Sequence, residues 1–174
     1  MIKDIRNTIK QTFLYGLSNI AVKAAGLILL PFYTNSLSTG EYGELAMLEI
    51  MAQFFVGVIS LQLPSAFLRF GGSALSSDEL KKIYSTALQL ALMLVISFVC
   101  FALLTVPFAS QLIFESNQFE VHLKLLTASI ALEVLGLLPL QLLRLKEKSI
   151  FYLFFVAIRL ICLVFFVWYF VVYS

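Results

Sequence analysis

Five long stretches of the sequence contain very few charged residues. The last of them, residues 150–173, carries one charge, Arg159, among 24 residues. A helix needs about 20 predominantly apolar residues to cross the hydrocarbon core of a bilayer, so each stretch is long enough to span a membrane. The five stretches cover residues 12–33, 42–67, 83–108, 121–143 and 150–173.

The overall composition excludes a soluble domain and a disordered chain. Of 174 residues, 61% are apolar and 13% are charged, against about 45–50% and 25% in soluble domains. A water-soluble fold of this size has too small an interior for so much apolar surface, and disordered chains are poor in apolar residues. We therefore expect an all-α integral membrane protein with one membrane domain over residues 1–174. The net charge of +2 and the dispersed basic residues indicate no nucleic-acid partner.

The residues that build metal sites and catalytic centres are scarce. Cys100 and Cys162 both lie inside apolar stretches, where cysteine behaves as a small apolar side chain, and His122 is the single histidine. The acidic loop residues, such as Asp78 and Glu79, have no partnering histidine and no metal-ligand spacing. We expect no metal, no cofactor and no enzymatic activity.

The N-terminus resembles a signal peptide only in its basic start. Lys3, Arg6 and Lys10 precede the first apolar stretch. That stretch is longer than a signal-peptide core, contains Lys23 and lacks a small-x-small cleavage site. The sequence therefore predicts a retained first span, preceded by an interfacial helix over residues 1–11.

The distribution of lysine and arginine predicts the orientation of the spans. Nine of the 12 basic residues fall before the first span, between the second and third, or between the fourth and fifth. The opposite loops, residues 34–40 and 109–120, contain none. Because basic residues accumulate in cytoplasmic loops, we expect five spans with a cytoplasmic N-terminus.

Four charged residues fall in the interior of the predicted spans, away from the span ends: Lys23, Glu49, Glu133 and Arg159. Inserting one charge at a helix centre costs about 2.5–3.5 kcal/mol, so four facing lipid would cost roughly 10 kcal/mol. We therefore expect these residues to face protein or a hydrated cavity.

Helical spacing places these charges on polar stripes. Residues three or four apart share a helix face, and the second span also carries Gln53 and Gly57 in register with Glu49. Three spans show such a stripe, formed by Tyr15, Asn19, Lys23 and Gly26, by Ala46, Glu49, Gln53, Gly57, Ser60 and Pro64, and by Ser129, Glu133 and Gly136.

Two interpretations of these stripes remain open. They can line a polar lumen, or they can let helices approach closely and hydrogen-bond to one another, with internal pairs such as Lys23 and Glu133. Arg69 and Arg144 end their spans on the cytoplasmic side. They either form a cationic rim, which suits a phosphate-bearing solute, or act as ordinary positive-inside anchors.

The four prolines are equally ambiguous. Pro31, Pro64, Pro107 and Pro139 lie near the ends of the predicted spans. Proline can break a membrane helix at a cavity, but it is also common in continuous membrane helices.

The segment KQTFLYGLSNIAVKAAGLILLPFYTNSLSTGEYGELAMLEI resembles the start of polysaccharide biosynthesis proteins of the lipid-linked oligosaccharide (O-antigen type) flippase family. This family belongs to the MOP exporter superfamily, which also contains the MATE drug exporters. LPSAFLRF and QLLRLKEKSIFY resemble later blocks of the same family. The most specific matches are Lys10, Tyr15, Gly16, Lys23, Leu30 to Tyr33, Leu37, Ser38 and Glu41 to Gly43.

The resemblance implies a multi-pass transporter of the bacterial inner membrane with two lobes of about six helices each. Such proteins move undecaprenyl-pyrophosphate-linked oligosaccharides by alternating access, and they work with polysaccharide polymerases and other assembly proteins. The family's cationic cavity would map onto Lys23 and Arg159. Five spans would form most of one lobe, so the resemblance implies an N-terminal piece of the transporter, either a fragment or a truncated gene, with the remaining helices as its partners.

Three alternatives differ from the flippase hypothesis. A cation-coupled small-molecule exporter of the same superfamily would use Glu49 or Glu133 as its ion site. A membrane enzyme that transfers lipid-linked sugars would need a carboxylate or histidine cluster in a loop. A non-transporting membrane subunit would pair all four intramembrane charges within its own bundle.

Overall fold

The structure is a computed structural model that describes residues 16, 20, 24, 26–114 and 119–173. Every regular element in these ranges is an α-helix. The six helices are α1 (26–36), α2 (Thr39–Ser60), α3 (Leu63–Gly72), α4 (Ser77–Phe114), α5 (Phe119–Leu145) and α6 (Ser149–Tyr173).

The all-helical character expected from the sequence is confirmed for the described residues, and three of the helices in these ranges are long and apolar enough to cross a membrane. They are Thr39–Ser60, Ser77–Leu112 and Glu120–Leu145. A further apolar stretch of α6, Ser149–Phe165, is shorter, although the helix itself continues to Tyr173. Half of the first predicted span, 12–33, lies outside the described residues.

Contacts between residues divide the chain into two compact units. We call Ala46–Leu145 the central unit, and Met1–Leu45 with Lys146–Ser174 the terminal unit. The central unit contains most of α2 and all of α3, α4 and α5. The candidate site and the packing described below belong mainly to this unit.

Two helices begin with side-chain caps. At the start of α2, the Ser38 backbone N–H and hydroxyl donate hydrogen bonds of 2.8 and 2.7 Å to Glu41 Oε2. At the start of α4, the Glu79 N–H donates to Ser76 Oγ at 3.1 Å, and Glu79 Oε2 accepts from the Leu75 N–H at 2.9 Å. Serine followed three residues later by glutamate satisfies backbone N–H groups that the first helical turn leaves unpaired.

Helix α4 is longer than the predicted span 83–108. Its 38 residues correspond to about 57 Å at 1.5 Å per residue, well beyond the roughly 30 Å of the hydrocarbon core. The helix starts at Ser77, where the serine and acidic residues favour initiation, and it passes through Pro107 to Phe114.

The core of the central unit is the seam between α4 and α5. The α4 side is rich in small side chains, which let two helices approach closely, and α5 contributes larger apolar ones. Buried residues of α4 include Ala87, Ala91, Val95, Ala102, Val106 and Ser110, and those of α5 include Leu123, Thr127, Ile130, Val134 and Leu138.

The second predicted span, 42–67, is not one continuous helix. Helix α2 ends at Ser60, and Leu61 and Gln62 follow with positive φ values of 44° and 58°. Pro64 then lies in the first turn of α3. In an unbroken helix the Pro64 ring would clash with the carbonyl of Ser60, four residues earlier, so proline weakens the helix at the position of the break. Pro31, Pro107 and Pro139 instead lie within helices.

Helix α3 packs tightly against α4 and α5. Phe67 is 1% exposed and clusters with Ala87, Ala91 and Leu138. Its ring meets that of Tyr84 edge-on, with 5.7 Å between the centroids.

Gly71 allows the closest approach of α3 to its neighbours. A methyl group added there would lie 2.8 Å from Leu145 Cδ2 and 3.1 Å from Leu80 Cδ1. The absence of a side chain at Gly71 therefore lets the end of α3 contact both α4 and α5.

Candidate transport face

The candidate site is the polar face of α2, formed by Glu49, Gln53 and Gly57. All three residues are exposed, and Glu49 is the eleventh of the 22 residues of α2. A different side of the helix, with Ala52, Phe55, Val56 and Ile59, packs against α4 and α5. The polar face therefore points away from the apolar core of the central unit, at the depth of the helix midpoint.

Glu49 has no ion-pairing partner in the described part of the chain. Neither the Lys81–Asp78 salt bridge at 2.9 Å nor the Lys124–Glu120 salt bridge at 2.6 Å in these ranges involves Glu49. A carboxylate at the centre of a membrane helix is costly when it faces hydrocarbon. The α2 polar face therefore requires a polar environment, such as a solute, water, a proton or another helix.

Glu133 lies at the edge of the core of the central unit. It is half-buried on α5, next to the buried Val134, and it takes part in a polar or electrostatic interaction. Ser129, one turn earlier, is exposed, and Gly136 is half-buried. The predicted stripe on α5 thus runs along the border between packed and open surface.

The remaining predicted cavity residues are distributed differently. Tyr15, Asn19 and Lys23 lie outside the described residues. Arg159 is exposed on α6 in the terminal unit and also takes part in an interaction. The structure therefore places Glu49 and Gln53 on one exposed face, and it leaves the grouping of all seven residues as a prediction.

The two predicted rim residues occupy equivalent positions on two packed helices. Arg69 lies in the last turn of α3 and Arg144 in the last turn of α5, and both are exposed. The ends of these helices meet where Gly71 approaches Leu145. Cations are favoured at helix C-termini because the last carbonyl groups carry partial negative charge. This arrangement fits both the rim and the anchoring interpretations.

An open apolar cleft is the feature that the sequence did not predict. It lies between α2, α4 and α5 and has a volume of about 90 Å³. Its two hydroxyl groups are satisfied within their own helices, because Thr105 donates to the Phe101 carbonyl at 3.0 Å and Thr127 to the Leu123 carbonyl at 2.8 Å. The side chains facing the cleft include Met51, Phe55, Phe98, Phe101, Val106 and Leu126.

The cleft is not the polar lumen expected from the stripes. Its lining lies on the packed side of α2, whereas Glu49 and Gln53 are exposed on another side. The helical spacing of apolar residues such as Met51 and Phe55 predicts that they lie on a packed face. It does not predict that this face borders an open cleft.

Among the described residues, no three histidine, cysteine, aspartate or glutamate side chains lie close enough to hold a metal ion. Comparisons with protein-family models, with curated proteins and with solved structures find no match for the chain.

Proposed function

We propose that this chain is part of a transporter that moves undecaprenyl-pyrophosphate-linked oligosaccharide across the bacterial inner membrane by alternating access. The resemblance of residues 10–50 to the flippase family supports the substrate class. Among the described residues, one observation carries the proposal: a glutamate and a glutamine share an exposed face at the midpoint of a candidate membrane span.

In the proposed site, different side chains recognise the sugar and the pyrophosphate. Carboxylate and amide groups hydrogen-bond to sugar hydroxyls, a role we assign to Glu49 and Gln53, with Glu133, Asn19 and Tyr15 as further polar wall. Lys23 and Arg159 provide the positive charge for the pyrophosphate. Arg69 and Arg144 would attract the anionic substrate to the cytoplasmic entrance.

The architecture that follows from this proposal is larger than the chain. Five spans would form most of one six-helix, MATE-like lobe, with the N-terminus in the cytoplasm. The remaining helices of the transporter would complete the cavity and cover the α2 polar face. Polysaccharide polymerase and other assembly proteins would act on the exported product.

Replacing Glu49 by glutamine at the chromosomal locus tests the site. Removing a charged hydrogen-bond acceptor costs about 1.5–3 kcal/mol, so we expect export to fall at least about ten-fold. The measurement is the amount of surface polysaccharide, together with accumulation of its lipid-linked precursor. Lys23→Ala and Arg159→Ala are expected to act in the same direction at normal protein levels.

Glu44→Gln provides a matched control, because Glu44 is another exposed glutamate of α2, nearer the start of the helix. The control is expected to retain export. If all three variants, Glu49→Gln, Lys23→Ala and Arg159→Ala, exported as much as the parent, these residues would have only a structural role.

A cation-coupled small-molecule exporter is the second candidate, and the lack of an ion pair at Glu49 in the described ranges favours it. A coupling carboxylate must bind and release a cation during each cycle. The two functions separate in vesicles: Glu49→Gln would abolish dependence on the proton or sodium gradient in an exporter, with no loss of surface polysaccharide. A non-transporting subunit would show neither effect.

A further inference from the structure

The connection between α2 and α3 has an unusual backbone. Leu61 and Gln62 both adopt positive φ values, although each has a side chain that disfavours the left-handed region. Return of both residues to right-handed helical values would relieve this strain and join α2 to α3 in one helix kinked at Pro64. Membrane helices tolerate such a proline, because other groups satisfy the backbone carbonyl that it leaves unpaired.

The two sides of this connection are held very differently. Helix α3 is fixed by Phe67 and Gly71, both buried against α4 and α5. In α2 only Ile59 and Ser60 are buried, and both lie directly beside the connection. Burial therefore decreases along α2 with distance from Leu61.

Space for movement lies beside the loosely held part of α2. Met51 and Phe55 line the apolar cleft together with residues of α4 and α5, and Phe55 also meets Phe98 with 5.5 Å between ring centroids. Apolar side chains slide past one another without breaking directional bonds. The two threonine hydroxyls at the cleft bond to their own helices, so they do not tether α2.

We propose that Leu61–Gln62 is a two-state hinge on which α2 swings relative to α3, α4 and α5, changing the width of the apolar cleft. In one state, the bent state, Leu61 and Gln62 have the positive φ values of the structure. In the other state, Leu61 and Gln62 are helical and α2 continues into α3. The hinge depends on the backbone and on apolar packing, so it stands independently of the transported solute.

Distance measurements between spin labels on the full chain in lipid nanodiscs test this hinge. With Cys100 and Cys162 replaced by serine, labels at Ile50→Cys on α2 and Leu104→Cys on α4 report the swing, since both positions are exposed. Labels at Leu104→Cys and Leu132→Cys, exposed on α4 and α5, provide a reference within the packed seam. We expect two distances for the first pair and one for the reference pair.

Glycine at both hinge positions should favour the bent state, because glycine enters the left-handed region without steric cost. We expect Leu61→Gly/Gln62→Gly to shift the ratio of the two distances at least about five-fold. The control Gln89→Gly/Leu90→Gly changes the same residue types at exposed positions inside α4 and should leave the ratio unchanged.

A milder variant covers the case in which the double glycine variant misfolds, which a changed reference distance would reveal. Gln62→Asn keeps a side-chain amide and tolerates the left-handed region better, so a smaller shift in the same direction is expected. A single distance for the Ile50–Leu104 pair, or a ratio that neither hinge variant changes, would overturn the hinge.

Discussion

At the α3 end of the central unit, Phe67 and Leu138 are each 1% exposed and Gly71 leaves no room for a methyl group. On the α2 side, Met51 and Phe55 border an open cleft, and Glu49 is exposed on another face of the same helix. Both regions belong to one unit and are rich in apolar residues, so hydrophobicity alone does not distinguish them. They differ in how closely their surfaces fit.

This difference shows where a membrane helix bundle holds its geometry. Lipid chains are as apolar as leucine, so helices associate through close packing and polar contacts rather than through escape from water. The tightly packed α3 end fixes the positions of α4 and α5. The loosely packed α2 side keeps open space and a charged residue, which is the arrangement expected where a solute or a further helix must be accommodated.

The largest expected effect comes from removing the ring at the packed end. Phe67→Ala should destabilise the fold by about 3 kcal/mol, at the low end for a buried aromatic residue, because part of the usual transfer from water is absent in lipid. Unfolding in mixed detergent micelles measures this loss. Phe70→Ala, three residues further along α3 and 59% exposed, should cost less than about 0.5 kcal/mol. Similar losses for both variants would contradict the packed α3 end.

A smaller effect is expected where α3 approaches Leu145. Gly71→Ala forces the ends of the Leu145 and Leu80 side chains to move, and overpacking of this kind costs about 1–3 kcal/mol. We expect about 1 kcal/mol, because both close atoms are terminal methyl groups that can rotate away.

The neighbouring glycine supplies the control for this change. A methyl group at Gly72 would lie 3.8 Å from Leu145 Cδ1, an ordinary contact distance. Gly72→Ala should therefore leave stability unchanged or raise it slightly, because alanine favours the helix more than glycine does. The same unfolding assay compares the two variants, and a larger loss at Gly72 would place the close approach elsewhere.

Local sequence identifies the helix starts more readily than the helix break. Ser38 with Glu41 and Ser76 with Glu79 act within one helical turn, so local spacing is sufficient to identify them. A proline in a predicted span can either break the helix or lie within a continuous one. Pro64 follows a break at Leu61, whereas Pro107 lies within the continuous helix α4. Local sequence does not separate these outcomes, because the tertiary packing of α3 decides them.

The candidate site shows the same limit. Helical spacing placed Glu49 and Gln53 on one face, and in the structure both are exposed. The apolar cleft was not predicted, since residues that fill a core and residues that border an opening follow the same periodicity. The cleft exists because of the distance between helices, and all the residues along the seam determine that distance.

The smallest expected effect tests whether the cleft is apolar in its energetics as well as its lining. Thr127 is buried and donates its hydroxyl hydrogen bond to the Leu123 carbonyl within its own helix. Thr127→Val keeps the shape of the side chain, and the Leu123 carbonyl still accepts its helical hydrogen bond, so stability should change by less than about 0.5 kcal/mol. The mixed-micelle assay applies here, with Thr105→Val as a second example of the same local bond.

If both hydroxyls instead bound water or a polar solute inside the cleft, either substitution would leave a buried partner unsatisfied, at a cost of about 1–3 kcal/mol. A loss of that size would make the cleft a polar site, and a neutral result would leave the α2 polar face as the polar site of the central unit.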